Sequence, residues 1–500
     1  MAPLYTYNVF SSVGSATVAA LLVASLLYCV GTAVYNVFFH PLRNYPGPKL
    51  WAITRVPYTR MYLSGQSHKK ILQLHQRYGT VVRVAPDTLS YSHPNAFTEI
   101  RGHRKHHQDE HGKDPIHQFM NLDNIIGANR ADHARMRRVM SHGFSAQSML
   151  DQQPIIRSYV DRLFDKLREK AAGGGGPVNV VNWYNYTTFD VIGDLAFGEP
   201  FGCLDTFTYH PWVSLIFEGI KDMAFSTSMK RYPALFDVLM WFVPREVKAK
   251  FAQHKQLSRE KVQKRLATKV SRPDFIDTMV RKRGDFQLSE DEIAANASVL
   301  IVAGSETTAT LLSAATYYIL ANPDAMAKLT REVRSAFETE DQIDLVSVQK
   351  LDYMLAVLDE SLRMYPPVPA SGPRKIAPGG DVILGQFVPG GTVAEIWQWP
   401  NYHSPEHFTQ PDSFIPERWL GDPRFANDKR EVVNPFSVGP RNCIGKNLAY
   451  AEMRLILARM VWNFDMKLAP DSVGWDEKSR VYILWQKGPL NVYLTPRKEA

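Results

Sequence analysis

Apolar positions follow two unlike patterns along this chain. From Met1 to Leu42 there is no Lys, Arg, Asp or Glu. Val13 to Val30 is almost continuously apolar or small, and the run extends to Phe39. A spanning helix needs about 20 such residues, so the stretch reads as a single transmembrane helix. A cleaved signal peptide would carry a basic start and a shorter apolar core. This start has no cation, so a retained anchor is expected over residues 1–42. The first cations beyond it are Arg43, Lys49 and Arg55. That asymmetry places the large C-terminal part in the cytosol. Tyr45-Pro46-Gly47-Pro48 then reads as a stiff hinge, because proline fixes φ and removes a donor.

Beyond the hinge, helical spacing dominates and no clean linker divides residues 43–500. Two short alternating runs around Ala85-Pro86-Asp87 predict a hairpin over residues 80–91. Asp381–Leu384 and Thr392–Ala394 flank glycine-rich turns and read as strands. The longest helix candidate opens on Ser289-Glu290-Asp291-Glu292, a capping box with Ser289 at the N-cap. Apolar and small residues continue to Ala321, where Asn322-Pro323 stops it. So apolar a helix must cross the middle of its domain. A further helix spans Leu351–Tyr365 and ends at Pro366-Pro367. The expected fold is mainly α with a smaller β part.

The apolar share of 45% and charged share of 22% are those of a globular protein. The net charge of +8 admits nucleic acid as a partner. No aromatic-interleaved basic stripe or recognition motif accompanies it, so no nucleic acid is expected. An acidic redox partner or an anionic membrane surface suits the charge better. Cys29, Cys203 and Cys443 are too few and too scattered for a disulfide framework. His103, His106, His107, His111 and His117 crowd one segment. Without a nearby cysteine, and among Lys and Arg, they read as a solvated loop rather than a zinc site. The sequons at Asn185 and Asn296 would be idle on a cytosolic domain. Trp397 and Trp399 read as core aromatics.

One stretch carries chemistry on its face: Phe436-Ser437-Val438-Gly439-Pro440-Arg441-Asn442-Cys443-Ile444-Gly445. A helical run starts directly after it. A thiolate before a helix N-terminus gains from the macrodipole and nearby N–H groups, which suits a metal ligand. Gly439 and Gly445 would let backbone pass close to something flat and large. The stretch resembles the cysteine-ligand loop of the cytochrome P-450 family, the haem-thiolate monooxygenases. The family pattern Phe-x-x-Gly-x-Arg-x-Cys-x-Gly is met at each fixed position.

Other segments resemble the same family in the same order. Ala303-Gly304-Ser305-Glu306-Thr307-Thr308 matches its central-helix motif. The resemblance implies that Gly304 and Ala303 lie at the haem face, that a local distortion admits dioxygen, and that Glu306 and Thr307 deliver protons. Glu360 and Arg363, three apart, with Arg418 of Pro416-Glu417-Arg418-Trp419, match the family's buried ion network. Asp132-His133-Ala134-Arg135-Met136-Arg137-Arg138 resembles the arginine helix, with His133 where tryptophan is common. Arg137, Arg374 and Arg441, with His133, are the implied propionate ligands, Phe436 packs at the haem, and Cys443 is the axial ligand to its iron.

The resemblance implies a cytochrome P-450 fold holding haem b, with O2 as co-substrate. The chain carries neither a Gly-x-Gly-x-x-Gly fingerprint nor a P-loop. Electrons would therefore come from NADPH through a separate reductase, with cytochrome b5 as an auxiliary donor. The wording of residues 132–145 and 303–308 is closest to fungal members that oxidise terpenoid or polyketide intermediates of secondary metabolism. An apolar small molecule is the implied substrate, and the endoplasmic reticulum membrane the implied location. Two rivals stay open at this point. One is a haem-thiolate isomerase or dehydratase, although such members often lose the acid–Thr pair. The other is a membrane-anchored binding protein with a core cysteine.

Overall fold

The computed structural model describes residues 4–105, 108–117, 123–174, 176–268, 272–281, 286–370 and 372–497. The N-terminal helix α1 (Leu4–Val34) continues as a wider turn through Tyr35–Phe39. Its side chains from Val18 to Leu27 are exposed and apolar, with no protein face to bury them. Lipid is the environment that such a helix needs.

The chain docks on the body before the proline hinge. Asn36 Nδ2 donates to Ile53 O (3.1 Å), and Arg83 Nη1 donates to Asn36 O (2.8 Å). Leu42 is buried in a small apolar cluster with Leu89, Tyr91 and Phe97. Arg83 N donates to Pro46 O at 2.7 Å. A Cβ on Gly47 would lie 2.4 Å from Arg83 O. The Pro-Gly-Pro stretch is therefore packed onto the first strand.

The body is helical around two buried rods. Helix α3 (Val180–Phe197) follows α2 (Arg130–Met140) and is buried on every face. Helix α4 (Glu290–Ala321) packs along it. The predicted capping box starts α4: Glu292 N donates to Ser289 Oγ at 3.1 Å, and Ser289 N donates to Glu292 Oε2 at 2.8 Å. Helices α5 (Asp352–Met364) and α6 (Lys446–Asn463) complete the frame of the site. Both sequons are core positions. Asn296 Oδ1 accepts from Ile125 N at 2.8 Å, and Asn185 Nδ2 donates to Tyr209 at 3.2 Å. Trp397 is buried edge-on to Tyr62, whereas Trp399 is half-buried and stacks on His403 at 3.9 Å.

One five-stranded sheet lies beside the helices. Its strands are β1 (Val81–Ala85), β2 (Thr88–Tyr91), β3 (Gly112–Lys113), β4 (Arg374–Lys375) and β5 (Val393–Glu395), in the order β1-β2-β5-β4-β3. The predicted 80–91 hairpin is β1–β2. Asp381–Ile383 pairs with Gln386–Val388 in a separate two-stranded hairpin, while the predicted 392–394 strand forms β5.

The histidine-rich segment departs from expectation. His103 is exposed, but His111 is buried. His111 Nδ1 accepts from Ala377 N at 3.2 Å, so Nε2 is the donor to Asp381, 3.0 Å away. Arg104 pairs with the same carboxylate. This histidine fastens the loop to the sheet edge instead of facing water. His106, His107 and the side chain of His117 lie outside the described residues.

Candidate active site around Cys443

The loop before α6 is closed by Cys443 N donating to Phe436 O (2.8 Å) and Asn442 N to Gly439 O (3.1 Å). Gly439 has φ +78°. A Cβ there would lie 1.9 Å from Arg101 O. Its smallness admits the protein's own backbone at Arg101, not a flat ligand. A Cβ on Gly445 would meet Cys443 Sγ at an ordinary 3.9 Å. The close approach at Gly439 is to the protein's own backbone, whereas Gly445 has room beside Cys443. The Phe436 ring leans on Tyr450 with centroids 5.3 Å apart.

Cys443 is accessible, yet crowded by surrounding protein atoms. That crowding pushes its thiol pKa up, against the opposing pull of the Gly445 N–H, Arg137 and Lys446. The helix-terminus advantage alone therefore does not ionise it. A coordinated metal cation would, as it does for ligating thiols generally. Cys203, by contrast, is buried in the core, and desolvation pushes it to about 12.

Cations gather beside this loop. Arg374 is 5% exposed, and its Nε and Nη1 meet no hydrogen-bond partner. The β3–β4 register sets Lys113 opposite Arg374. Arg101 Nη1 reaches Ser437 Oγ at 3.4 Å and Nη2 reaches Gly372 O, while Nε is unpartnered. Arg441 Nη1 donates to Ala128 O (3.0 Å), and its Nε pairs with Glu110. Arg137 Nη1 donates to Asn442 O (2.6 Å) and Nη2 to that residue's side chain, so it grips the cysteine loop itself.

Mutual repulsion marks the cluster. Burial, then Arg374, Arg441 and Arg101, push Lys113 down to about 7. Burial and Arg374 take Arg101 to about 9; burial and Arg441 take Arg374 to about 10. His133 is buried among them and falls to about 3, for desolvation first and Arg441 next. It is neutral near pH 7 and keeps one N–H to donate. Buried guanidinium N–H groups without acceptors are costly. A dianion with carboxylate oxygens would satisfy them, and the two propionates of haem have that chemistry. The residues present fit the group. Arg101 and Lys113 were missed from sequence. The register with Arg374 reveals Lys113; no motif marks Arg101.

On α4, Ala303 is exposed and Thr307 half-buried, whereas Ser305, Glu306 and Thr308 are buried. Residues four apart share a face, so Ala303 and Thr307 form an accessible stripe. Thr307 Oγ1 donates to Ala303 O at 2.6 Å. The helix is unbroken here, without the expected distortion. Gly304 is also corrected: a Cβ would lie 2.8 Å from Ile192 Cδ1, so its smallness lets α3 approach α4. Glu306 is 2% exposed and ion-paired with Lys487, a partner the sequence did not suggest. From α6, buried Glu452 hydrogen-bonds Thr308, and desolvation raises its pKa to about 8.

Below the loop, Glu360, Arg363 and Arg418 are fully buried together. Arg418 Nε donates to Glu360 Oε1 (3.1 Å), and Trp419 Nε1 to Oε2 (2.9 Å). Arg363 Nη1 also donates to Tyr402 O (2.8 Å) and Pro411 O (2.7 Å). The network ties α5 to the segment that leads into the cysteine loop.

A family model described as Cytochrome P-450 matches residues 45–494. Among similar proteins is the trichothecene C-15 hydroxylase of Fusarium sporotrichioides, 56% identical over 475 residues, covering 94% of this chain and 96% of that protein. The cytochrome P-450 monooxygenase astA of Talaromyces wortmannii is 46% identical, covering 95% and 96%. The averantin hydroxylase of Dothistroma septosporum is 45% identical, covering 96% and 92%.

Proposed function

The chain belongs to the cytochrome P-450 family, the haem-thiolate monooxygenases, and we propose that it hydroxylates a terpenoid or polyketide intermediate of fungal secondary metabolism. A trichothecene-type skeleton is the first candidate substrate, because the hydroxylase of that class shares 56% identity, against 45% for the averantin enzyme. The observation that carries the site assignment is Arg374, buried with two unpartnered N–H groups beside the Cys443 loop.

In this reading Cys443 would ligate the haem iron through its thiolate. Arg374, Arg441, Lys113 and Arg101 would hold the propionates of haem b, with Arg137 and His133 closing the side toward α2. Phe436 packs beside the thiolate. When bound, haem supplies the redox chemistry that activates dioxygen, with electron density donated by the thiolate. Ala303 and Thr307 face that reaction space and position the apolar substrate. Thr307 presents a hydroxyl through which protons pass, and Glu306 carries them to it. The overall balance takes substrate C–H, O2, two electrons and two protons to C–OH and water. Glu360, Arg363 and Arg418 hold the loop in register.

Electrons come from NADPH through a separate reductase, with cytochrome b5 as an auxiliary donor. Both dock on the basic face near the cysteine loop. Residues 1–42 carry the membrane anchor, whose last part at Asn36 and Leu42 already packs on the catalytic domain of residues 43–500, and that domain faces the cytosol from the endoplasmic reticulum. The acid–Thr pair at Glu306 and Thr307 favours oxygen chemistry over isomerisation or dehydration.

The test is reconstitution in membranes with a reductase, NADPH, ¹⁸O2 and a trichothecene skeleton lacking the hydroxyl. One ¹⁸O per product is expected. Conversion without NADPH and O2 would replace this reading with an isomerase or dehydratase.

A further inference from the structure

Lys487 follows the C-terminal hairpin Arg480–Val481/Trp485–Gln486 and turns inward. Its side chain is 5% exposed, and its Nζ contacts Glu306 Oε1. The hairpin is held rigidly. Trp485 Nε1 donates to Pro366 O at 2.7 Å, and its ring stacks on Tyr365 at 4.0 Å. Val481 N donates to Gly65 O at 2.9 Å. Lys487 is thus aimed at Glu306 from a fixed support.

Two opposite charges buried side by side compensate each other's lost hydration, which neither would manage alone. Thr310 Oγ1 donates to the same oxygen at 3.3 Å, while Glu306 Oε2 has no partner. The other titratable groups facing this carboxylate are the phenols of Tyr209 and Tyr365, both raised chiefly by burial and therefore neutral. We propose that Lys487 is the positioning residue for Glu306. It holds one carboxylate oxygen and leaves the other as the acceptor that takes each incoming proton and passes it toward Thr307. The C-terminal hairpin, not α4 alone, then sets proton delivery. This rests on the reading of Glu306 as the proton carrier.

The experiment uses haem-loaded wild type, Lys487→Met, Lys487→Arg and Lys487→Met/Glu306→Gln. Thermal unfolding between pH 6 and 8.5 is the first readout. Lys487→Met leaves a carboxylate buried without its cation; burial disfavours the charged form, so stability should be lost as pH rises. The deficit should be largest at pH 8.5, and the double variant should remove it. The second readout is NADPH consumption and peroxide release with a reductase. Lys487→Met should raise peroxide per NADPH roughly tenfold and acquire a new pH dependence. Lys487→Arg should restore both. Unchanged unfolding overturns the pairing. Changed unfolding with unchanged peroxide yield and pH profile reduces Lys487 to a structural role. A wild type without the thiolate-type carbon-monoxide band overturns the parent reading instead, whatever the unfolding shows.

Discussion

Arg363 grips Glu360 at both carboxylate oxygens: Nε to Oε2 at 2.9 Å and Nη2 to Oε1 at 2.8 Å, with neither side chain exposed. Although burial pushes Glu360 up, Arg363 and then Arg418 hold its pKa below the ordinary carboxylate value. A depressed folded pKa gives stability that is present at neutral pH and lost as pH falls through that value. Glu360→Ala leaves buried Arg363 without a carboxylate and Arg418 with Asp428 alone. It should cost about 3–5 kcal/mol, measured by urea unfolding. The variant should also recover from expression with little haem.

Arg374 offers a different test, because its Nε and Nη1 make no hydrogen bond within the protein itself. Arg374→Met should leave the fold intact and weaken haem retention. Two lost charge-assisted hydrogen bonds at about 1.5 kcal/mol each amount to roughly a hundredfold in affinity. Haem transfer to an acceptor apoprotein measures it. Lys113→Met should act in the same direction, although no local motif marks it.

That contrast shows what the sequence could and could not tell. The Cys443 loop, the Ser289 capping box and the Glu360–Arg363 spacing are local patterns, and each was readable from a few consecutive residues. Lys113 and Lys487 act across 261 and 181 positions from their partners Arg374 and Glu306. Only strand register and hairpin placement bring them there. The glycines misled for a related reason. Gly304 and Gly439 are small because Ile192 and Arg101 press against them, and a one-dimensional reading cannot tell a neighbouring chain from a ligand. His111 lies among basic residues in the sequence, yet Asp381 meets it from far along the chain.

Glu452 makes a pH-linked prediction. Its folded pKa of about 8 lies above the unfolded carboxylate value, chiefly through desolvation. The folded protein then binds the proton more tightly, so stability falls as pH rises from the unfolded value to about 8. Glu452→Gln should unfold at a temperature that varies less between pH 6 and 8. Calorimetry of both proteins across that range decides it. An unchanged slope would place the titration elsewhere.

The anchor and the body can be separated by two truncations. Removing residues 1–34 keeps Asn36 and Leu42 on the body and should release the protein from membranes with its unfolding temperature intact. Removing residues 1–46 also takes Leu42 from its cluster, at a cost of about 1.5–3 kcal/mol. Flotation and thermal unfolding read the two effects independently.

The carbon-monoxide difference spectrum of the reduced protein, compared with Cys443→Ala, separates haem-thiolate ligation from its absence. Wild type should show the red-shifted Soret band of thiolate-ligated haem, and a folded Cys443→Ala protein should lose it. A folded wild type without that band, or a Cys443→Ala protein that keeps it, would contradict Cys443 as the haem ligand.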